Sequence, residues 1–302
     1  MPSQPPEKNT VLAIGVFDGV HVGHQHLLKR LTDTTRQGAM LSGVITFANH
    51  PRTVITPGAC VKYITSVKDR LALLEATGVD MVVPLTFDVE LSRLRAHEFV
   101  GLLRERLNMA GLVMGYNFVM GHQREGNPET LKAMGAEKGF SVSVVEPFST
   151  DGQGVSSTAI REAIAAGGIE KAAKFLGRFF ALEGKVVAGN ARGRELGFPT
   201  ANLDVPKNQI IPADGIYASW AYMKGQRYMA ATNVGIRPTF DEKERLVEAF
   251  LLGFDGDLYG SELKLEFVRR LRDELRFDSV DALVAQMHKD VEQTRQILSG
   301  NS

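Results

Sequence analysis

The sequence predicts a doubly wound α/β domain with a parallel sheet, followed by a small antiparallel β-barrel domain with a C-terminal helix. Three observations carry that reading. Short apolar runs alternate with amphipathic stretches up to about residue 180, the strand–helix–strand rhythm of a parallel sheet. After "LGRFF" strand-like segments follow one another with no helical stretch between them. The chain then closes on one long amphipathic stretch. The rhythm changes once, so residues 1–180 and 181–302 are expected to be two domains of different fold and different task.

In chain order, "TVLAIGVF" (10–17) is a buried strand ending at Asp18-Gly19. "HQHLLKRLTDTTRQ" is a helix with Leu27, Leu28 and Leu31 on one face, closed by Gly38. "AMLSGVITF" (39–47) is the next strand and completes a βαβ unit. The alternation continues through "KDRLALLEATG", "VDMVVPLTF", "RAHEFVGLLRERL", "MAGLVMG", "PETLKAMGAEKG" and "FSVSVVEPF". Two short helices, "SSTAIREAIAAGG" and "IEKAAKFLG", follow. Beyond them "ALEGKVVAG", "GIYASWAYM", "QRYMAATNVG", "LVEAFLLGF" and "ELKLEFVRRL" read as strands of a barrel or sandwich, with a hairpin turn at Lys224-Gly225. "SVDALVAQMHKDVEQTRQIL" is a helix with Leu283, Met287 and Val291 in line.

Lys+Arg and Asp+Glu both number 35, so the balance argues against a nucleic-acid footprint, which needs a basic excess or face. Cys60 is the single cysteine, which excludes an internal disulfide and fits a reducing, cytoplasmic setting. The polar N-terminus "MPSQPPEKNT" lacks the apolar core of a signal peptide. No uncharged apolar run approaches the roughly 20 residues of a membrane span. Partners are therefore expected to be small molecules, with no nucleic acid and no membrane.

"GVFDGVHVGHQHLL" (15–28) places three histidines between glycines at a strand-to-helix turn. The glycine spacing is not that of a dinucleotide fold. Such a turn lies at the C-terminal edge of an open parallel sheet, where ligands bind, and the helix start favours phosphate. His21 precedes the helix and His24 sits in its first turn, so both can face one ligand, while His26 must point elsewhere. Paired imidazoles can donate to a phosphate and stabilise charge developing on it. A solvated helix start that merely contains histidines is the plain alternative. A zinc site is disfavoured, since no cysteine is near and the third histidine faces away.

"GVFDGVHVGH" resembles the H-x-G-H signature of the nucleotidylyltransferase superfamily, whose members attack the α-phosphate of ATP and release pyrophosphate. "VSSTAIREAI" (155–164) resembles the superfamily's second signature, S-S-T-x-x-R, although S-S-T before a helix is also an ordinary N-cap. The likeness implies phosphate-binding roles for Asp18, Gly19, Gly23, Ser156, Ser157, Thr158 and Arg161, and catalytic roles for His21 and His24. "ITFANHPRTVI" and "MGYNFVMGHQREGN" are similar to segments lining the flavin pocket of bacterial riboflavin kinase/FAD synthetases. That similarity assigns Phe47, His50, Pro51 and Asn117 to flavin contacts, with a core strand position as the alternative for Phe47.

"GRELGFPTANL" (193–203) offers glycine backbone for phosphates, then a hydroxyl and an amide oxygen suited to a hard cation; a bland loop with a proline turn is the alternative. "IPADGIYA", "NVGIRPTF", "VEAFLLGFDGDLYG" and "FVRRLRDELRF" follow it in the order seen in the same family. The resemblance implies that Gly193 and Gly197 approach ATP, that Thr200 and Asn202 hold Mg²⁺–ATP, and that Glu248 is the base. Glu248 precedes the apolar run Ala249–Leu252, and half-burial would raise its pKa toward a useful range. Arg272 is a candidate flavin or phosphate contact.

Three positions depart from the family pattern: Ala159 where a basic residue is usual, Met120 and His122 after "GYNF", and Gly253 where an aspartate is usual. Losing one charge-assisted phosphate contact costs about 1.5–3 kcal/mol, enough to slow adenylyl transfer without abolishing it. The resemblance as a whole implies an enzyme that phosphorylates riboflavin to FMN with ATP and then adenylylates FMN to FAD. A riboflavin kinase with an impaired first domain and a non-catalytic flavin sensor are the alternatives.

Overall fold

The computed structural model describes residues 4–188, 196–238 and 243–300. Contacts divide the chain into two compact units, Met1–Ser157 and Thr158–Ser302.

The first unit is built on a parallel sheet of β1 (Thr10–Gly15), β2 (Leu41–Phe47), β3 (Met81–Leu85), β4 (Met109–Gly115) and β5 (Ser141–Val145), in the order β3-β2-β1-β4-β5. Its helices are α1 (Val22–Gln37), α2 (Pro51–Ile55), α3 (Val67–Glu75), α4 (Val89–Arg93), α5 (Ala96–Leu107) and α6 (Pro128–Lys138). β1 shows why its sequence is apolar throughout. Val11 and Ala13 enter one core cluster, while Leu12 and Ile14 enter another. A central strand covered on both faces has no solvent side on which to alternate. α6 starts where Asn127 Oδ1 accepts from the backbone of Glu129 and Thr130, with Pro128 at the first helical position.

Each strand expected for this unit is present, and two one-turn helices, α2 and α4, are added. Five residues are too few for a helical period to be legible. A small hairpin of β6 (Ser149–Thr150) and β7 (Gln153–Gly154) precedes Ser157. Strand order reverses between β1 and β4, which makes the C-terminal ends of those strands the switch-point crevice.

α7 (Ser157–Ala165) starts at the last residue of the first unit, and α8 (Ile169–Leu176) follows it in the second. A closed barrel follows: β8 (Phe180–Val187), β9 (Ala201–Asp204), β10 (Gly215–Met223), β11 (Gln226–Pro238), β12 (Lys243–Leu251) and β13 (Glu262–Arg272), in the order β10-β11-β12-β9-β8-β13. β10 pairs with both β11 and β13, so the sheet closes as a barrel rather than splitting into a sandwich. The β10–β11 turn falls at Lys224-Gly225, both with positive φ (48° and 78°), the twist that tight hairpins require.

The interior is filled by Tyr217, Ala230, Val247, Leu265 and Phe267. Ser219 and Thr232, also fully buried there, share a 2.5 Å hydroxyl hydrogen bond, so neither is left unsatisfied. The C-terminal helix α9 (Val280–Ser299), capped by Ser279 Oγ, packs on β10, β11 and β13. β9 was not expected, since "TAN" reads as part of a loop. Its four residues become a strand only by fitting between β12 and β8.

Candidate active sites

The first site forms at the end of β1. Phe17 (φ 52°), Gly19 (φ 82°) and Val20 (φ 38°) all lie in the left-handed region, a strained path for a phenylalanine and a β-branched valine. The loop is held from several sides. The Asp18 carboxylate, 1% exposed, accepts from the backbone N–H of Ile64 (3.0 Å) and Thr65 (3.2 Å). Gly19 N–H donates to Thr65 Oγ1 (3.2 Å), Gln25 Nε2 to the Val20 carbonyl (3.0 Å) and Ser157 Oγ to the Asp18 carbonyl (2.9 Å). Arg70, fully buried, donates to the Val16 carbonyl (2.9 Å), and burial lowers its pKa. Neither Thr65 nor Arg70 lies in a motif; only the fold brings them under this loop.

The loop delivers the backbone into α1 with His21 as N-cap. His21 Nδ1 accepts from His24 N–H (3.2 Å), which leaves the proton of the neutral ring on Nε2. The two rings stack with centroids 3.6 Å apart. His24 Nδ1 is buried and has no hydrogen-bond partner among the described residues. Burial, then the neighbouring His21, hold the His24 pKa well below 6.5, so the ring is neutral at neutral pH. A Cβ at Gly23 would sit 3.2 Å from the His21 ring, closer than ordinary contact, so a side chain there would push the ring aside by a few tenths of an ångström. His26 packs against Phe148 instead (5.4 Å).

Ser156 is exposed just before α7, which carries Ser157, Thr158 and Arg161 in its first two turns. Asp18 and Ser157 are thus engaged with protein groups. The predicted flavin residues follow the sheet's C-terminal edge: Phe47 ends β2, His50 caps α2 through Nδ1 with Pro51 at its first position, and exposed Asn117 follows β4. Phe47 is 9% exposed and meets Phe87 edge-on at 5.5 Å, a core position. Among the described residues no three His, Cys, Asp or Glu side chains are grouped to hold a metal ion.

The second site is a cavity of about 580 Å³ on the outer face of the barrel, walled by α9 and the segment after β13. Thr200, Asn202, Glu248 and Arg272 all line it. β9 accounts for part of that gathering: Asn202 pairs in register with Glu248 on β12, which puts both side chains on one face. Glu248 is half-buried there. Gly197 (φ 83°) lies in an exposed turn leading to buried Phe198, and Gly193 lies outside the described residues.

The Arg272 guanidinium is gripped by Asp290 of α9 through two bonds of 2.9 and 2.6 Å, and its third nitrogen donates to the Asp273 carbonyl (2.9 Å). Asp290 is 3% exposed and also accepts from Gln286. Sequence reasoning missed it. The signal was an acid beside the in-line Leu283, Met287 and Val291, on a helix face that should be apolar. Glu274, at the cavity, is raised in pKa by burial and then by Asp214.

An open parallel sheet with imidazoles at a helix start, and a barrel whose cavity sets a carboxylate beside hydroxyl and amide oxygens, are two unrelated group-transfer designs on one chain. By class this is a two-domain transferase. A family model described as FAD synthetase matches residues 3–159, and one described as riboflavin kinase matches residues 176–298. Relatives named bifunctional riboflavin kinase/FMN adenylyltransferase include those of Listeria monocytogenes (34% identical, covering 95% of this chain and 92% of the relative) and Escherichia coli K12 (35%, 95% and 92%). That of Pseudomonas fluorescens is 37% identical over 97% of this chain and 94% of its own. A solved structure described as a macrolide-efflux protein from Streptococcus pneumoniae superposes with a TM-score of 0.91 at 33% identity, over 97% of this chain and 96% of that one. Among the described residues no helix is long and apolar enough to cross a membrane. The chain belongs to the bifunctional riboflavin kinase/FMN adenylyltransferase family.

Proposed function

We propose that residues 181–302 phosphorylate riboflavin to FMN and residues 1–180 convert FMN to FAD, each step consuming one ATP, in the cytoplasm. The observation that carries the kinase half is the pairing of Asn202 with Glu248 in the wall of a substrate-sized cavity. Glu248 takes the proton of the riboflavin 5′-hydroxyl as that oxygen attacks the γ-phosphorus, and ADP leaves. Gly193 and Gly197 approach the nucleotide phosphates.

Thr200 and Asn202 would hold Mg²⁺ on those phosphates. The fit is chemical: hydroxyl and amide oxygens are hard donors, and among the described residues no three His, Cys, Asp or Glu side chains group to hold an ion by themselves, which suits a cation bound largely through phosphates and water. Bound Mg²⁺ offsets negative charge on the transferring group. Arg272, fixed by Asp290, presents a rigid edge to the flavin.

In the first domain the FMN phosphate is already an anionic nucleophile and needs no strong base. It attacks the α-phosphorus of ATP, and pyrophosphate leaves. His21, His24 and the α1 N-terminus stabilise the developing charge, with Gly19 and Gly23 allowing close approach. Ser156, Thr158 and Arg161 hold the phosphates. Asp18 and Ser157 act by shaping the loop, since their side chains bond to protein. His50, Pro51 and Asn117 contact the flavin, and Phe47 supports them from the core.

Incubation with riboflavin, ATP and Mg²⁺, followed by chromatographic separation of the flavins, tests the reading. FMN and FAD are expected in sequence. FMN without FAD would leave a kinase with an impaired first domain, and no product would favour a flavin sensor.

A further inference from the structure

One cross-strand row runs over the outer face of the barrel: Asn202 on β9, Glu248 on β12, Asn233 on β11, Ile216 on β10 and Arg272 on β13, each in register with the next. All five line the same cavity. Residues directly opposite in an antiparallel ladder set their Cβ atoms about 4.5–5.5 Å apart on one face. Asn202 and Asn233 therefore flank Glu248 on its two sides. Asn233 Oδ1 is buried and accepts no hydrogen bond from the described residues.

We infer that Asn233 binds the acceptor alcohol: its carboxamide hydrogen-bonds a ribityl hydroxyl neighbouring the one that is phosphorylated, and so fixes the riboflavin side chain against Glu248. This rests on the kinase reading above. Phosphoryl transfer needs its attacking and leaving oxygens roughly in line, hence donor and acceptor on opposite sides of the reacting centre. With the nucleotide on the Asn202 side of Glu248, the alcohol approaches from the side that Asn233 occupies. A buried acceptor without a donor is unfavourable, and a ligand hydroxyl supplies the missing donor. The amide torsion of asparagine is broad, so rotation brings the oxygen to the cavity at little cost. Beyond Asn233 the row presents apolar Ile216 and then Arg272, the residue assigned above to the flavin. The polar portion of the substrate thus ends at Asn233, and the aromatic ring lies beyond it.

The test is steady-state FMN formation by wild type, Asn233→Ala and Asn233→Asp. Substrates are riboflavin and a set of analogues each lacking one ribityl hydroxyl other than the reacting one. Asn233→Ala should lower kcat/KM for riboflavin about tenfold. For one analogue the wild type should already show that loss, and the substitution should add nothing further. A loss equal on every substrate, or no loss, overturns the inference.

Asn233→Asp keeps an acceptor oxygen and sets a second carboxylate opposite Glu248. It should retain discrimination against the same analogue and move the acidic limb of the pH profile upward. An unmoved limb overturns the inference even if Asn233→Ala does not fold. A wild type that makes no FMN overturns the kinase reading itself, and this inference with it.

Discussion

The imidazoles of His21 and His24 lie face to face, 16° from parallel, with Gly23 the gap that lets the first ring turn back over the helix start. The cap bond from His24 N–H to His21 Nδ1 fixes one tautomer, while burial keeps the second ring uncharged. Two neutral rings can stack this closely; two imidazolium rings would repel.

That relationship has a pH signature. The folded-state pKa of His24 lies well below its ordinary 6.5, so below that pH the unfolded chain binds more protons at this position than the folded one. Its contribution is unpenalised above that value, and stability falls as pH drops beneath it. Urea unfolding of wild type and His24→Gln from about pH 7.5 to about pH 5 should show the wild type losing its advantage as acid is added. Parallel curves would contradict the assigned burial effect.

His24→Ala should lower FAD formation from FMN by about 10²–10³-fold, the usual cost of a donor to developing charge. FMN formation from riboflavin should be kept. Product-resolved assays of both steps check it.

Glu248→Gln should do the reverse, cutting FMN formation by about 10²–10⁴-fold while added FMN still becomes FAD. If this variant and His24→Ala each lost both activities, the two-site assignment would be wrong.

Gly23→Ala places a methyl 3.2 Å from the His21 ring, and the ring must give way. Slower FAD formation with an unchanged kinase rate is the expected result. A rate equal to wild type would mean that the stacked geometry is not needed.

Asp290→Ala leaves Arg272, whose side chain is 17% exposed, without its bidentate partner. Breaking such a buried pair costs about 3–5 kcal/mol, so chemical unfolding of the second unit should shift strongly. Asp290→Asn, which keeps one acceptor, should shift it less.

The helices and strands long enough to show a period were legible from the sequence because apolar spacing reports which face is covered. The H-x-G-H and P-T-A-N strings stood out because the polar groups they offer lie within a few residues of one another. α2 and α4 were not legible, since five residues are too few for a helical period, nor was β9, whose four residues follow directly on a glycine- and proline-bearing loop. Asp290, Thr65 and Arg70 were not either. Each acts on residues at least 18 positions away, and a buried acid, threonine or arginine looks like any other until its partner is found.

The sequence by itself determined two folds and their order, and it singled out the two groups of residues proposed to handle phosphates. Tertiary structure alone decided how those groups meet. β9 slides between β8 and β12 and brings Asn202 beside Glu248, and the next strand over sets Asn233 on that carboxylate's other side. Register between strands distant in the chain is fixed by closing the barrel around a packed interior. No local pattern of residues encodes it.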